Sequence, residues 1–371
     1  MINPKKKIAF VIGSLTSGGS ERVISTLSNQ LVDSFDVCII TFKKTEPFYT
    51  LNNKVKVISC YDSLKRPSNF LASLWLNIAL VKRICEIIRS EKIDLLIGFI
   101  TTANILSIIA SKITGIPSII SERNNPQMEI IPKFWKFLRE FFYPRANSVV
   151  LQTQGVKKLY EKKVSESKLI ILPNPISEKL TNKRTFKDDS KREKLILNVG
   201  RLNKSKQQKM LINAFENITT EDWKLLIIGD GPQYNALQKQ IKQLKLSDKV
   251  EIKPQIKDIH NYYDKARVFA FTSKNEGFPN ALIEAMHFGL PSISTDCDFG
   301  PSDLINHNSN GILIPVNGQL ELEQSLQLLI NDKLLREKIS KNAIASTEEY
   351  LSFNVVTKWQ KLINDVISQV N

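Results

Sequence analysis

The chain has 371 residues, 42% of them hydrophobic and 24% charged, with a formal net charge of +15 at neutral pH. This length is too great for one hydrophobic core and fits two domains, and the composition argues against extensive disorder. The four cysteines lie far apart without a C-x-x-C motif, which indicates neither a zinc site nor a disulfide framework and favours a reducing cytoplasm.

The N-terminal half alternates short β-branched runs with helical stretches. Its strand-like runs are KIAFVIG, FDVCIITF, KVKVISC, DLLIGF, PSIIS, SVVLQT and KLIILPNPI. The basic start leads through the first run into a glycine loop without an A-x-A-like cleavage site, so we interpret it as a strand and not as a signal peptide. Residues 95–110 are apolar but interrupted by Gly98 and by polar residues, which predicts a buried strand and then a helix ending near Gly115 instead of a membrane span.

The first glycine loop, VIGSLTSGGSER, passes from a strand into a helix at about Ser20. Gly18 and Gly19 would let the backbone approach a ligand, and the helix N-terminus favours anions. A plain strand-to-helix turn also uses glycine, so the loop alone predicts little.

The segment IPKFWKFLREFFYPR, residues 131–145, interleaves aromatic and basic side chains. Such a helix can lie on an anionic bilayer surface. For the stripe of Phe134, Phe137, Leu138 and Phe141, the alternative is a core helix whose opposite face is exposed to solvent. The residues predicted to meet the membrane are Lys133, Trp135, Lys136 and Arg139.

A polar, charged stretch at 177–193 is interpreted as a linker, and the lysine-rich residues 183–194 as solvated surface. The strand pattern then restarts with KLILNVG, WKLLIIG, KVEIK, ARVFAFTS, PSISTD and GILIPV. Strands that alternate with helices at this spacing predict parallel sheets. The fold class is therefore α/β, with two facing doubly wound, Rossmann-like domains and a ligand cleft between them.

The positive charge is confined to the first part of the chain. Residues 1–200 carry 32 Lys and Arg against 17 Asp and Glu, whereas residues 201–371 carry 20 of each kind. A basic half predicts nucleic acid, anionic lipid or an anionic substrate as its partner. No recognisable nucleic-acid module accompanies it, so nucleic-acid binding ranks low.

Two loops of the second half carry phosphate-binding signals. In GRLNKSK, Gly200 ends a strand, and Arg201 and Lys206 follow at the mouth of a helix, where they suit a diphosphate. In GDGPQY the first two glycines of a dinucleotide fingerprint are present, but Tyr234 occupies the position of the third. A nicotinamide-dependent oxidoreductase therefore stays open as an alternative.

The stretch EGFPNALIEAM places Glu276 in a loop and Glu284 inside the following helix, with Pro279 predicted in its first turn. The unpaired N–H groups of Asn280, Ala281 and Leu282 would lie between the two carboxylates. Since carboxylates accept hydrogen bonds from sugar hydroxyls and helix N-termini bind phosphates, the arrangement suits a nucleotide-sugar.

The E-x7-E pattern, GRLNKSK upstream and the GGSER loop resemble the retaining family-4 glycosyltransferases of glycosyltransferase-B fold. SERNNP and TDCDFGPSDLI look most like the branch that builds bacterial capsular polysaccharide and O-antigen. The resemblance implies an acceptor-side domain at 1–176, a donor-binding domain at 177–354 and a C-terminal helix at 355–371 that completes the first domain. It also implies an enzyme that transfers a sugar from a nucleotide-sugar, and we expect a UDP-hexose or a UDP-N-acetylhexosamine as the donor. The excess of basic residues before residue 201 predicts a polyprenyl-diphosphate-linked saccharide at the membrane as the acceptor.

The resemblance further implies roles for single residues. Arg201 and Lys206, after Gly200, would grip the donor diphosphate. Glu284 would bind the ribose, and Glu276 the transferred sugar together with backbone near Gly277 and Phe278. Gly18 and Gly19 would approach the donor from the first domain.

One departure concerns the histidine that many such enzymes carry at the sugar site of the first domain. All three histidines of this chain lie in its second half. Arg123 in SERNNP is predicted to contact the sugar instead, with a structural ion pair to a neighbouring acid as the alternative. The DCD at 296–298 is interpreted as a loop, so neither metal nor cofactor is expected, and the protein is expected in the cytoplasm at the inner membrane face.

Overall fold

The computed structural model describes residues 5–65, 67–127, 131–185, 187–219, 221–256 and 258–369. The chain forms two compact units. Unit 1 comprises Met1–Pro175 and Ser352–Asn371, and unit 2 comprises Ile176–Leu351. The sequence predicted these boundaries at 176/177 and 354/355.

Unit 1 contains a parallel sheet of seven strands in the order β3-β2-β1-β4-β5-β6-β7. The strands are β1 (Lys7–Ile12), β2 (Asp36–Lys43), β3 (Lys56–Tyr61), β4 (Leu95–Phe99), β5 (Ser118–Ser121), β6 (Ser148–Leu151) and β7 (Leu169–Ile171). Its helices are α1 (Gly19–Leu31), α2 (Phe70–Glu91), α3 (Thr101–Thr114), α4 (Lys133–Phe142), α5 (Gln154–Tyr160) and, from the C-terminus, α14 (Ser352–Ser368).

The alternation of side chains along β1 explains the layers of unit 1. Ile8, Phe10 and Ile12 enter a core with α1 and α14, whereas Ala9 and Val11 enter a second core with α2 and α3. Successive residues of a strand point to opposite faces, so a strand that is apolar throughout needs helices on both sides. The C-terminal helix covers one face through Trp359, which is fully buried and stacks on Phe99 at 6.1 Å between ring centroids.

Unit 2 contains a parallel sheet of six strands in the order β10-β9-β8-β11-β12-β13. The strands are β8 (Leu195–Val199), β9 (Lys224–Ile228), β10 (Val250–Lys253), β11 (Val268–Phe271), β12 (Ser292–Thr295) and β13 (Ile312–Ile314). The helices are α6 (Glu178–Lys183), α7 (Gln208–Asn217), α8 (Tyr234–Gln243), α9 (His260–Lys265), α10 (Asn280–His287), α11 (Pro301–Leu304), α12 (Gln319–Asn331) and α13 (Lys333–Ser346).

All thirteen strand-like runs of the sequence form strands, and the prediction of two doubly wound α/β domains is confirmed. The strand followed by a helix within 95–110 is also confirmed. Helix α3 ends at Thr114 and is capped by Gly115, whose φ of 77° is a left-handed conformation that glycine adopts without strain. Among the helices of the described residues, none combines the length and the hydropathy of a membrane span.

The stretch 177–193, interpreted as a linker, is instead part of unit 2. Arg192 is buried there and donates hydrogen bonds to the backbone carbonyls of Tyr263, Ala266 and Phe288. Arg336 forms an ion pair with Asp189 at 2.7 Å. The interpretation of residues 183–194 as solvated surface is therefore wrong for Arg192, because carbonyl oxygens replace water around its guanidinium group.

Candidate functional site

The sheet of unit 2 reverses its strand order between β8 and β11, which are neighbours although two strands separate them in sequence. In open α/β sheets, ligands bind beyond the carboxyl ends of the strands at such a reversal, because the loops diverge there and leave a crevice. Gly200, Arg201 and Lys206 follow β8, and Glu276 follows β11. The two loops that the sequence singled out thus meet at one point of the sheet.

A single 3-10 turn, Lys204–Lys206, sets the position of Lys206 after β8. The side chain of Asn203 caps this turn by accepting a hydrogen bond from the Lys206 amide at 3.1 Å. From the β11 side, Thr272 Oγ1 donates to the Lys206 carbonyl at 2.8 Å and the Lys274 amide donates to the Ser205 carbonyl at 2.7 Å. Sequence reasoning missed these three positioning residues, of which only Asn203, a common cap residue before the turn, carried a signal.

Lys206 Nζ forms an ion pair with Glu276 Oε1. The side chains are 21% and 11% exposed, and Lys206 Nζ also lies 5.4 Å from the ring centroid of Phe271. Arg201 is exposed and forms no ion pair with any described residue. The arrangement places the paired Lys206 and Glu276 at the reversal of the sheet, with the exposed Arg201 in the same loop as Lys206.

Helix α10 begins one residue later than predicted, because Pro279 occupies the position before the helix and not its first turn. The Asn280 amide donates to the Phe278 carbonyl at 3.0 Å, and the Leu282 amide donates to the Pro279 carbonyl at 3.0 Å. Two of the three amides that were predicted to point at a ligand therefore donate to backbone carbonyls at the start of α10. The Ala281 amide remains as the predicted donor.

Glu284 lies within α10 with 4% of its surface exposed, and its Oε2 accepts a hydrogen bond from the Tyr263 hydroxyl at 3.0 Å. Phe278 is also buried and packs near the Tyr350 ring, at 6.2 Å between centroids. Gly277 is half-buried between Glu276 and Phe278. The assigned role of Glu284 as the ribose ligand stays a prediction.

The glycines of GDGPQY are explained by backbone packing. A Cβ at Gly229 would lie 1.9 Å from the Gly200 carbonyl oxygen, and a Cβ at Gly231 would lie 2.3 Å from the Leu202 carbonyl oxygen. The Leu202 amide donates to the Asp230 carbonyl at 2.8 Å, and the Gln233 amide donates to the Leu202 carbonyl at 3.0 Å. The β9 loop thus supports the turn that carries Arg201, which accounts for its glycines without a dinucleotide.

In the DCD segment, Asp296 and Asp298 are exposed while Cys297 between them is buried. The described residues contain no cluster of three or more His, Cys, Asp and Glu side chains placed to hold a metal ion.

In unit 1, Gly18 precedes α1 and Gly19 is its first residue. A Cβ at Gly18 would lie 1.9 Å from a carboxylate oxygen of Glu21, so this glycine makes room for the Glu21 side chain. Burial raises the pKa of Glu21 above its usual value, with hydrogen bonds from its own backbone and from Thr16 opposing the rise. The role of Gly18 and Gly19 at the donor stays a prediction.

Arg123 lies beyond the carboxyl end of β5, with 6% of its surface exposed. Its Nη1 donates to Asn174 Oδ1 at 2.6 Å, and its guanidinium carbon lies 4.8 Å from the centroid of the Phe99 ring. Burial lowers the pKa of Arg123 to about 9, with the Glu122 charge opposing the shift, so the group stays charged at neutral pH. Its Nε and Nη2 have no hydrogen-bond partner among the described residues.

The predicted alternative for Arg123, a structural ion pair, does not occur among the described residues. The neighbouring Glu122 accepts hydrogen bonds from the Tyr143 hydroxyl at 2.8 Å and from the Arg123 backbone amide at 3.1 Å. A buried cation with two unused donors is costly, because both donors have lost water. Such a group is typical of a site that binds an oxygen-rich ligand.

The residues of α4 that the sequence assigned to the membrane differ in their exposure to solvent. Lys133 and Lys136 are exposed and Trp135 is half-buried. Arg139 is 9% exposed and donates to the Pro126 carbonyl at 3.4 Å, so its assignment to the membrane is wrong.

The residues of the aromatic stripe of α4 also differ in their exposure to solvent. Phe134 and Leu138 are half-buried, whereas Phe137 is 62% exposed and Phe141 is 45% exposed. The two exposed rings stack on each other at 6.2 Å between centroids. The core alternative therefore applies to only half of the stripe.

Comparisons with known proteins cover both units. Residues 17–180 match the family model described as Glycosyltransferase Family 4, and residues 181–346 match the model described as Glycosyl transferases group 1. The chain is 33% identical over 97% of its length, and over 99% of the relative, to the GalNAc-alpha-(1->4)-GalNAc-alpha-(1->3)-diNAcBac-PP-undecaprenol alpha-1,4-N-acetyl-D-galactosaminyltransferase of Campylobacter jejuni. It is 28% identical, over 97% of this chain and 99% of the relative, to the amylovoran biosynthesis glycosyltransferase AmsD of Erwinia amylovora.

Solved structures show the same fold. HepE of Anabaena, in complex with UDP and glucose, superposes with a TM-score of 0.79 at 19% identity, over 97% of this chain and all of the other. The lipopolysaccharide outer core galactosyltransferase WaaB superposes with a TM-score of 0.77 at 21% identity, over 97% of this chain and 99% of the other.

Proposed function

We propose a specific reaction for this chain, which belongs to the family 4 glycosyltransferases and has their GT-B type of fold. The enzyme moves a sugar from a UDP-sugar, a UDP-hexose or UDP-N-acetylhexosamine, to a polyprenyl-diphosphate-linked saccharide during the synthesis of a surface polysaccharide. The observation that carries this proposal is the ion pair of Lys206 and Glu276 at the strand-order reversal of unit 2, with Arg201 in the same loop as Lys206.

The donor site is proposed within unit 2. Arg201 offers a planar fork of donors and Lys206 a compact charge, and together they suit two phosphates. Glu276, held next to Lys206, accepts hydrogen bonds from hydroxyls of the transferred sugar, and Glu284 from those of the ribose. A UDP-sugar is supported by the UDP complex of the structurally similar HepE.

The reaction is proposed to retain the anomeric configuration. The bond between the sugar C1 and the diphosphate oxygen breaks while a bond from C1 to the acceptor oxygen forms on the same face. A phosphate oxygen of the leaving UDP takes the acceptor proton. The cations Arg201 and Lys206 stabilise the negative charge that develops on this leaving group, which is the main contribution of the protein to the rate.

No metal ion is proposed in the reaction, because Arg201 and Lys206 are proposed to compensate the charge of the leaving diphosphate. Turnover should therefore be unchanged by EDTA. Loss of activity in EDTA, with recovery on adding a divalent cation, would contradict this part of the proposal.

The lipid-linked acceptor is supported by the similar Campylobacter enzymes, whose names describe undecaprenol-linked substrates. The excess of basic residues before residue 201 also favours an anionic acceptor and an anionic membrane. Arg123 is proposed to bind an oxygen of a substrate through Nε and Nη2, the donors that lack a partner among the described residues. A lipid-linked acceptor of this kind would place the enzyme at the inner face of the cytoplasmic membrane.

Thermal denaturation with nucleotides tests the donor class. UDP should raise the melting temperature, since a ligand that binds only the folded state stabilises it, and NAD should leave it unchanged. The Lys206→Ala variant should lose the UDP response, whereas Lys204→Ala, an exposed lysine of the same turn, should keep it. Stabilisation by NAD and not by UDP would support the oxidoreductase alternative instead.

A further inference from the structure

The loop that follows β5, residues 122–127, brings Arg123 to the strand-order reversal of the unit 1 sheet. In that sheet β1 and β4 are neighbours although two strands separate them in sequence. The guanidinium carbon of Arg123 lies 4.8 Å from the ring centroid of Phe99, the last residue of β4. Because ligands of open α/β sheets bind beyond the carboxyl ends of the strands at such a reversal, Arg123 lies where unit 1 is expected to hold a ligand.

This loop contains buried hydrogen-bond donors that lack a partner among the described residues. They are Arg123 Nε, Arg123 Nη2 and Asn125 Nδ2. Arg123 is 6% exposed and Asn125 is 7% exposed, so both side chains have lost nearly all of their water. The Asn125 side chain is oriented by its Oδ1, which accepts a hydrogen bond from the Gln127 backbone amide at 2.9 Å. Since unsatisfied buried donors are costly, two such side chains in one loop indicate a place where a ligand supplies the acceptors.

The guanidinium group of Arg123 is held in place by its other contacts. Its Nη1 donates to Asn174 Oδ1 at 2.6 Å, and this oxygen also accepts from Gln152 Nε2 at 2.9 Å. In addition to the Phe99 ring, the ring of Trp359 from α14 lies 5.8 Å from the guanidinium carbon. The edge formed by Nε and Nη2 is therefore the edge that can bind a ligand.

The acidic neighbour of Arg123 does not occupy this edge. Glu122 Oε2 accepts from the Tyr143 hydroxyl at 2.8 Å and from the Tyr160 hydroxyl at 3.4 Å, and its Oε1 accepts from the Arg123 backbone amide at 3.1 Å. The charge of Glu122 opposes the lowering of the Arg123 pKa by burial, which helps the guanidinium group to stay protonated. Glu122 thus favours the charged state of Arg123 without satisfying Nε and Nη2.

The unsatisfied atoms of the loop select the chemistry of the ligand. All three are donors, so a hydroxyl group would bring a hydrogen for which they offer no acceptor. A carboxylate brings only acceptors, and its two oxygens match the parallel N–H groups of Nε and Nη2. Asn125 Nδ2 adds further hydrogens from the same loop. A carboxylate therefore fits these donors better than a neutral sugar hydroxyl does.

We propose that Arg123 and Asn125 bind the carboxylate of a uronic acid in a substrate of this enzyme. The inference rests on the proposed function, because it names the class of sugar that Arg123 recognises in that reaction. The uronic acid is either the transferred sugar or a sugar of the acceptor saccharide. A neutral sugar at the same place leaves the buried donors unsatisfied, so the two residues discriminate against it.

Calorimetric titration of the purified protein with matched pairs of sugars tests this site without any transfer reaction. UDP-glucuronic and UDP-galacturonic acid, compared with UDP-glucose and UDP-galactose, test the transferred sugar. The methyl glycosides of glucuronic and galacturonic acid, compared with those of glucose and galactose in excess UDP, test the acceptor. In one of these two arms the carboxylated sugar should bind about tenfold or more tightly than its neutral partner, because hydrogen bonds to a charged group are lost with the neutral one. Equal affinities within every pair would overturn the proposal.

Variants of the loop locate the binding. Asn125→Asp keeps the oxygen that accepts from the Gln127 amide but replaces the donor Nδ2 with a negative charge, so the preference for the carboxylated sugar should be lost. Arg123→Lys keeps the positive charge but removes the two-pronged edge, so the preference should fall by about tenfold. Asn147→Asp is the matched control, because Asn147 Oδ1 accepts from the Ser118 amide at 3.0 Å at the amino end of β5, and its preference should stay within about twofold of the wild type. An unchanged preference in both loop variants would overturn the proposal.

Further outcomes separate this inference from the proposed function. If the methyl uronosides are preferred but UDP gives no stabilisation, the carboxylate site stands and the proposed donor fails. If UDP stabilises the protein but no pair of sugars differs, the donor class stands and the carboxylate site fails. A preference confined to the UDP-uronic acids supports the site and replaces the neutral donors of the proposed function. Inorganic phosphate that displaces the carboxylated sugar at equal concentration would identify a phosphate site and would overturn the proposal.

Discussion

At the scale of single residues, the pair of Lys206 and Glu276 joins the two loops of the candidate site. Each side chain compensates the charge of the other in a partly buried position, so each variant leaves an uncompensated charge as well as a missing ligand contact. Lys206→Ala and Glu276→Ala should each lower turnover by roughly 100-fold or more, because contacts to the developing transition state are lost. Steady-state kinetics measures this effect, with circular dichroism to verify the fold.

Lys204→Ala is the matched control, because Lys204 lies in the same 3-10 turn but is exposed. Its turnover should stay within about twofold of the wild type, as expected for a surface change. Near-native turnover in either Lys206→Ala or Glu276→Ala would show that the catalytic site lies elsewhere.

His287 gives a second prediction at this scale. The side chain is 1% exposed, its Nδ1 lies 3.0 Å from Arg184 Nη1, and burial lowers its pKa to about 4 with a further contribution from the Arg184 charge. Because the unfolded chain binds this proton near pH 6.5 and the folded chain does not, His287 makes stability fall as the pH drops from about 6.5 to about 4. The full effect amounts to about 3 kcal/mol.

Denaturant unfolding at pH 7 and pH 4.5 measures this contribution. His287→Gln, which keeps a hydrogen-bonding side chain, should lose clearly less stability over this interval than the wild type. The same loss in both proteins would contradict the assignment of the titration to His287.

At the scale of elements, the β9 loop supports the β8 turn. Gly229→Ala would place a Cβ 1.9 Å from the Gly200 carbonyl oxygen, so the turn that carries Arg201 and Lys206 must move. Because displacements of about 1 Å at a reacting site can cost about 100-fold in rate, turnover should fall strongly even though Gly229 itself touches no substrate in the proposed site. Kinetics and UDP titration together measure the effect.

Gly13→Ala provides the comparison, since its Cβ would meet only Phe42 at an ordinary 3.8 Å. This variant should retain UDP binding and most of the turnover. Unchanged UDP binding in Gly229→Ala would mean that the loop does not position the site.

The elements of both sheets could be predicted from the sequence, because runs such as KLILNVG and ARVFAFTS are apolar throughout and their alternation with helices fixes parallel pairing. The sequence joined Gly200 and Glu276 in one donor site only through the family resemblance, whereas the structure places Gly200 directly after β8 and Glu276 in the loop after β11, two strands that adjoin at the reversal. The backbone conformation of the turn that carries Lys206 could not be predicted from the sequence. Gln207 adopts a left-handed conformation with a φ of 52°, which is unusual for a residue other than glycine and has no local sequence signal.

The errors of prediction at Arg139 and Arg192 share one physical cause, which is the burial of arginine by tertiary contacts. Arg139 and Arg192 were assigned to membrane and solvent from their polarity, yet backbone carbonyls accept their hydrogen bonds inside unit 1 and unit 2 respectively. Arginine has five donors on a long apolar stem, so distant carbonyls can replace water around it. A local pattern contains no information about such partners.

At the scale of the whole molecule, the uneven charge predicts how the protein meets a membrane. Lys133 and Lys136 are exposed on α4 beside exposed aromatic rings, and the first 200 residues carry the entire net charge. The protein should therefore bind anionic vesicles more strongly than neutral ones. Because each basic residue near the surface contributes about 1 kcal/mol, the double variant Lys133→Gln and Lys136→Gln should weaken this binding by about 30-fold.

The double variant Lys239→Gln and Lys242→Gln removes the same charge at the same spacing from α8 of unit 2, where both lysines are exposed. It should leave vesicle binding nearly unchanged. Co-sedimentation with anionic and neutral liposomes measures both variants, and equal partitioning of the wild type onto the two vesicle types would contradict the membrane assignment.

The most direct test of the proposed function is a transfer assay with a polyprenyl-diphosphate-linked saccharide and a panel of radiolabelled UDP-hexoses and UDP-N-acetylhexosamines. The wild type should move label from one of these donors into the lipid fraction, and Lys206→Ala should do so about 100-fold more slowly. Transfer at the same rate by both proteins would contradict the site. Absence of label in the lipid fraction with every UDP-sugar, from a protein that is folded, would contradict the proposed reaction.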